Sequence, residues 1–218
     1  MVLAGFRARL WKAGVLALES PRAVLRLARM PAFRNALPLL LAGTLAACGG
    51  GTKYRPVSDV PVRIGAPYQV RGSTFVPAAQ PGYDMLGYAT WYGSESGNQV
   101  ANGERFRPKW ITGAHRTLPL PSYVEVTALD TGRRILVRVN DRGPFGDSRR
   151  LIDLSKGAAE HLGIRDKGKA AVRVRVVEPS EKDRAALRKG KPAQELKPAP
   201  DRSLSSLREQ FVRGVGAL

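Results

Sequence analysis

Apolar side chains recur at every second position in three separate runs between residues 123 and 177, and this period constrains the fold more than any other feature of the 218-residue chain. Val124 and Val126 share one face of Tyr123–Thr127. Ile135, Val137 and Val139 share one face of Arg134–Val139, and Val172, Val174 and Val176 line one face of 171–177 with Arg173 and Arg175 opposite. A period of two sends alternate side chains to opposite sides of an extended backbone, so each run reads as a half-buried strand. Tyr88–Tyr92 adds a fourth strand candidate, and Asp130-Thr131-Gly132 supplies a turn between the first two runs. One helix is clearly signalled, Lys156–Leu162, with Ser155 as N-cap and Gly163 just past its end. Many short strands and one short helix in about 95 residues predict an all-β fold, a small closed barrel.

The flanks are of a different kind. Cys48 is the only cysteine, which excludes an intrachain disulfide framework or a multi-cysteine zinc site. An apolar run of 12 residues, 36–47, follows Arg34 and precedes it; the run is too short to span a bilayer and reads as the core of a secretory signal peptide. Leu45-Ala46-Ala47-Cys48-Gly49 resembles a bacterial lipobox, so Cys48 is the expected lipidation site and mature N-terminus. Residues 1–47 are thus assigned to the signal peptide, and the arginine-rich stretch 1–29 suggests a true start at Met30. Residues 48–86, with Pro56, Pro61, Pro67, Pro77 and Pro81, are expected to form a flexible linker. At about 3 Å per residue it would reach roughly 100 Å from a membrane. Residues 180–218 form a basic tail expected to be largely disordered, with a weak helical pattern over Leu204–Val212.

The formal charge is +18, and after loss of residues 1–47 it is +12, 29 basic residues against 17 acidic. Such an excess fits nucleic acid, yet a signal peptide and the absence of a nucleic-acid motif argue against that partner. With 43% hydrophobic residues, wholesale disorder and a multi-span membrane protein are both disfavoured.

Five blocks follow in order through the patterned region: Gly87-Tyr88-Ala89-Thr90-Trp91-Tyr92-Gly93, Ala101-Asn102-Gly103-Glu104-Arg105-Phe106, Ala114-His115-Arg116-Thr117-Leu118-Pro119-Leu120-Pro121-Ser122, Val137-Arg138-Val139-Asn140-Asp141-Arg142-Gly143-Pro144-Phe145 and Ile152-Asp153-Leu154-Ser155. Residues 87–179 resemble the rare lipoprotein A (RlpA) family. The resemblance implies a six-stranded double-psi β-barrel with one or two short helices, a fold shared with expansins. It also implies an endolytic peptidoglycan lytic transglycosylase that prefers glycan strands stripped of stem peptides. No cofactor is expected, and two histidines without other ligand-spaced residues do not make a metal site.

A lytic transglycosylase cleaves between N-acetylmuramic acid and N-acetylglucosamine without water, the muramoyl C6 hydroxyl closing on its own C1. One carboxyl can serve twice, first as acid and then as base. Asp141 ends an alternating strand and precedes Gly143-Pro144-Phe145, and the resemblance gives it this acid/base role. Glu104, projected by the Asn102-Gly103 turn, is by resemblance a functional carboxylate across the groove, either the acid itself or a holder of the substrate. The sequence does not rank the two. By resemblance His115 contributes to activity, through a hydrogen bond that orients a carboxyl. Residue type nominates Trp91, Tyr92 and Phe145 to stack on sugar faces, and Arg138 and Arg142 to meet a lactyl carboxylate.

The chain departs from the family pattern in two places. Arg107 stands where an acid is usual, three positions beyond Glu104, and such a reversal of sign would push nearby carboxyls toward their charged forms. Ser94-Glu95-Ser96-Gly97-Asn98 replaces a commoner His-Gly-rich segment, with Glu95 as a compensating acid. The 39 residues after Pro179 are too few for the sporulation-related repeat domain of many relatives, so septal targeting is not carried over. Arg107 makes a non-catalytic, expansin-like wall-binding lipoprotein the alternative reading. The expected protein is a monomer bound to peptidoglycan, anchored by lipid to a bacterial membrane and facing the periplasm. The outer membrane is favoured because no aspartate directly follows Cys48.

Overall fold

A computed structural model describes residues 54–215. The signal peptide, the start at Met30 and lipidation of Cys48 concern positions outside the described residues. The expected strands all form, three within longer elements and the last shifted by one residue: β3 (Asp84–Tyr92), β5 (Ser122–Ala128), β6 (Arg134–Asp141) and β8 (Ala170–Val176). They follow a small hairpin, β1 (Tyr68–Val70) and β2 (Ser73–Phe75), and are joined by β4 (Thr112–His115) and β7 (Arg150–Ser155). Six strands close a barrel in the order β3-β7-β4-β6-β5-β8. Two pairs, β3 with β7 and β4 with β6, run parallel, and the others are antiparallel.

The alternating valines do what their period requires. Val124, Val126, Val137, Val139, Val172 and Val174 are fully buried with Ile152 and Leu154 in one core. Helix α1 (Lys156–Leu162) starts where expected: the Ser155 hydroxyl accepts the Ala158 N–H at 3.1 Å, and Gly163 ends it in the left-handed region.

Both flanks are more ordered than the sequence suggests. Residues 54–64 lie along the barrel: Arg55 N–H donates to the Gly103 carbonyl at 2.7 Å, and Arg63 and Leu120 exchange backbone bonds at 2.8 Å. Asp59 accepts from the Tyr123 hydroxyl at 2.9 Å and pairs with Arg138 and Arg188. The prolines limit helix and strand, but one carboxylate with two arginine partners is enough to dock the segment. The tail forms α2 (Glu181–Arg188) and α3 (Asp201–Val215). Ser180 caps α2 through the Asp183 N–H, and Leu187 and Leu204 are buried. Arg208 fastens α3 to the β5–β6 turn by donating to the Leu129 and Asp130 carbonyls at 2.7 and 2.9 Å. The expectation of a flexible linker and a largely disordered tail is therefore corrected for residues 54–215: a few buried leucines and arginine contacts outweigh a polar, proline-rich composition.

Candidate active site

The barrel register is interrupted twice, and each interruption serves a carboxylate. In the β4–β6 pairing Gly113 lies opposite Val139 but Ala114 opposite Asp141, leaving Asn140 as an extra residue. In β3–β7, Tyr88 lies opposite Arg150 and Ala89 opposite Ile152, so Leu151 is extra and Thr90 meets Asp153. A bulge re-aims the side chains that follow it. As a result Asp141 and Asp153 both sit in register with Ala114, one from each neighbouring strand. Residues in register share a face. Gly143, at φ +141°, keeps the space between them open: a Cβ there would stand 3.6 Å from Ala114 Cβ and 3.8 Å from Asp153 Oδ2.

The two carboxylates have different environments. Asp141 is half-buried, and its Oδ1 accepts the Ala101 and Arg142 backbone N–H groups, both at 2.8 Å. Its Oδ2 has no hydrogen bond among the described residues. Burial raises its pKa above the ordinary carboxylate value, and the nearby Asp153 adds to the rise against the backbone N–H groups and Arg142. Burial also raises Asp153, while Thr90, whose hydroxyl donates to Oδ1, and Arg150, at 3.2 Å, favour its charged form. Beside both lies the Tyr92 hydroxyl, buried near Thr112 without a well-formed hydrogen bond. Burial first, then the two aspartates, raise it well above the ordinary phenol value.

Glu104 is not at this mouth. It is 2% exposed and clasped by Arg138, itself 1% exposed, through two bonds of 2.7 and 2.8 Å. Burial alone would raise the Glu104 carboxyl, but Arg138 with Asn140 and Asn102 outweighs it, and the group is held ionised below its usual pKa. An acid so held is a poor proton donor, so of the two carboxylates the sequence left open only Asp141 suits the acid role. What Glu104 does is position. Asn140 Nδ2 donates to it at 3.1 Å, Asn102 N–H donates to the Asn140 carbonyl at 3.2 Å, and the same loop presents Ala101 N–H to Asp141.

Arg138 completes its shell with Asp59 at 3.1 Å and the Ser58 carbonyl at 2.7 Å, so it cannot serve a substrate carboxylate as its residue type suggested. Arg142 is also committed. Its guanidinium donates to the Leu118, His115 and Ile64 carbonyls at 2.5, 3.2 and 2.9 Å. His115 holds no carboxyl. Its Nδ1 accepts the Thr117 and Leu118 N–H groups at 3.2 and 3.1 Å, and burial, reinforced by Arg116 and Arg142, drops its pKa to about 3. It is a neutral turn-former whose backbone helps seat Arg142.

The aromatic side chains divide in the same way. Tyr92 stacks on Phe106 at 4.9 Å, forming a wall rather than a free platform. Phe145 packs against Phe75 and Tyr68 of the β1–β2 hairpin at 5.5 and 6.2 Å, and Tyr68 lies close enough to Asp141 to feel its charge. Trp91 is half-buried and donates to the Arg165 carbonyl at 3.0 Å. Arg107 stands with its guanidinium 4.3 Å from the Trp110 ring and is no partner of Asp141 or Glu104, so its reversed sign does not set their charge. Asp153 and Tyr68 were not singled out from sequence. The signal for Asp153 was present: one acid between buried Ile152 and Leu154 is where a short strand turns a charge to its other face. Tyr68 lay in a segment read as linker.

Residues 84–174 match the lytic transglycolase domain family DPBB_1. The chain is 50% identical over 115 residues to the Endolytic peptidoglycan transglycosylase RlpA of Pseudomonas aeruginosa, an alignment covering 52% of this chain and 33% of that protein. It is 42% identical over 116 residues to the protein of the same name from Neisseria meningitidis, covering 52% and 48%. The chain thus spans about a third to a half of the length of these curated relatives. Among solved structures, the Streptomyces papain inhibitor aligns at a TM-score of 0.39 and 26% identity, covering 46% of this chain and 100% of that one. With its closed six-stranded barrel and five motif blocks, the domain at residues 84–174 is thus similar to the lytic transglycolase domains whose family model it matches.

Proposed function

We propose that this domain is an endolytic peptidoglycan lytic transglycosylase, cleaving the bond from N-acetylmuramic acid to N-acetylglucosamine in strands without stem peptides. The observation that carries the reading is the placement of Asp141, set by a bulge opposite Ala114, its pKa raised by burial and by Asp153, with one carboxyl oxygen free of hydrogen bonds among the described residues. The names of the aligned relatives give the same activity. Protonated Asp141 gives its proton to the leaving oxygen as the C1–O bond breaks. The muramoyl C6 oxygen bonds to C1, and its proton returns to Asp141. No water enters, and the ring closure leaves a 1,6-anhydro end. Asp153, bonded to Thr90 and Arg150, which favour its charged form against burial, would when ionised place negative charge beside the positive charge that develops at C1. Digestion of denuded sacculi followed by mass spectrometry tests this: anhydro-muramoyl products are expected from the wild type and none from Asp141→Asn. A protein that binds the glycan and releases nothing would instead be the non-catalytic wall-binding module.

The lipobox supports anchoring through Cys48 to a membrane facing the periplasm, the outer membrane by its Gly49-Gly50 sequence, with the protein acting as a monomer. Labelling cells with a palmitate analogue tests the anchor, since Cys48→Ser should remove the label.

A further inference from the structure

Both arginines nominated for the lactyl carboxylate are spent on the protein itself, while four other cations gather around one cavity, Arg105 and Arg107 lying over the Tyr54 and Trp110 rings. Arg105, Arg107, Lys109 and Lys156 line a cavity of about 640 Å³ walled by Trp91 and Trp110. None of the four pairs with an acid among the described residues. The one acid in the lining, Glu95, is turned onto its own backbone, accepting the Gly93 N–H at 2.7 Å. Trp110 is fixed from both sides. Arg107 lies over one part of its ring, and Gly190, at φ +74°, approaches so closely that a Cβ there would fall 2.2 Å from the indole nitrogen. One side chain links the cavity toward the carboxylates: Phe106 in its lining stacks on Tyr92, whose hydroxyl feels the charges of Asp141 and Asp153.

Aromatic walls suit sugar faces, and four cations against the single acid Glu95 suit an anion. We infer that this cavity is a subsite for an anionic sugar of the same glycan strand, taking the lactyl carboxylate of a muramoyl residue that flanks the cleaved bond. The inference rests on the peptidoglycan reading above. It gives Arg107 a use in this chain: where the family has an acid, the reversed sign joins Lys109 and Lys156 in receiving the substrate's charge.

The test is calorimetric titration of the full chain carrying Asp141→Asn, so that binding is read without turnover. The probes are a denuded tetrasaccharide of alternating N-acetylglucosamine and N-acetylmuramic acid, the same tetrasaccharide bearing stem peptides, and neutral chitotetraose. The denuded muramoyl probe should bind about tenfold more tightly than chitotetraose, the ratio that one charge-assisted contact supplies. Raising ionic strength should shrink that ratio, and adding exposed Arg107→Glu should abolish it. Equal affinity for the charged and neutral probes, or a ratio indifferent to Arg107→Glu, overturns the inference. Tighter binding of the peptide-bearing probe also overturns it, by assigning the cations to peptide carboxylates. The outcome is separable from that of the proposed activity. A preference for the lactyl group without any anhydro product would defeat only the enzyme, and anhydro products without the preference would defeat only the subsite.

Discussion

Asp141 and Asp153 flank Ala114 from adjacent strands, and burial first, with a smaller contribution from the second, raises the pKa of the first. If Asp141 must be protonated to act, cleavage falls as pH rises through its elevated pKa. Replacing Asp153 by Asn removes the negative neighbour and lets Asp141 ionise sooner, so the basic limb of kcat/KM against pH should move to lower pH. A limb that stays in place would separate Asp153 from the proton chemistry.

Asp141→Asn should lower cleavage by about 10²-fold or more, the range of a lost general acid, while the amide oxygen still accepts the Ala101 and Arg142 N–H groups. The wild-type acid binds its proton more tightly folded than unfolded, so it subtracts stability as pH rises from about 4 through the folded-state pKa. Chemical denaturation between pH 4 and 8 should therefore show the variant gaining stability relative to the wild type as pH rises; a relative loss would contradict a raised folded-state pKa.

Glu104→Gln leaves the Arg138 charge buried with only Asp59 as counter-ion, and should cost about 3 kcal/mol in the urea midpoint. The double variant Glu104→Leu/Arg138→Met should recover much of that loss and still cleave poorly, because the Glu104–Asn140 side-chain bond is then lost from the loop that offers Ala101 N–H to Asp141. Full activity in the folded double variant would remove Glu104 from any positioning role.

His115 is held neutral, with a pKa of about 3 when folded and about 6.5 when unfolded. The depressed value means stability is fully present above the unfolded pKa and lost as pH falls from there toward 3, by about 2 kcal/mol at pH 5. His115→Asn keeps an acceptor for Thr117 and Leu118 without a titration, so it should flatten this acid limb. An unchanged limb in denaturation curves would show that other groups carry it.

The parts of the molecule legible in the sequence are those governed by period and local chemistry. Val124, Val137 and Val172 announce their strands, and Ser155 and Gly163 bracket α1, because alternation and capping are decided within a few residues. β7 was less visible because six residues, two of them the charged Arg150 and Asp153, give too short a pattern to count. The site was legible only in part, and for one reason: residue type does not say what else competes for a side chain. Arg138, Arg142 and Glu104 have the right chemistry for a substrate, but each is consumed by a partner distant in sequence, Glu104 by Arg138 and Arg142 by the Leu118 and Ile64 carbonyls. The tail misled in the opposite direction, since Leu187 and Leu204 look incidental until a barrel face is there to bury them.

Deleting residues 180–218 should accordingly destabilise the barrel, not merely shorten it. Two buried leucines contribute on the order of 3 kcal/mol, so the truncated chain should unfold at a lower urea concentration and exchange the amides of β5 and β6 faster. An unchanged midpoint would mean that the helices pack on the barrel without supporting it.

The docking of residues 54–64 shortens the leash. If the acyl chain is carried on Cys48, six residue steps separate it from Tyr54, a contour of at most roughly 20 Å in place of roughly 100 Å. An enzyme so held would be confined to the innermost layer of glycan next to its bilayer, and strands farther out would reach it only where the wall and membrane are drawn together.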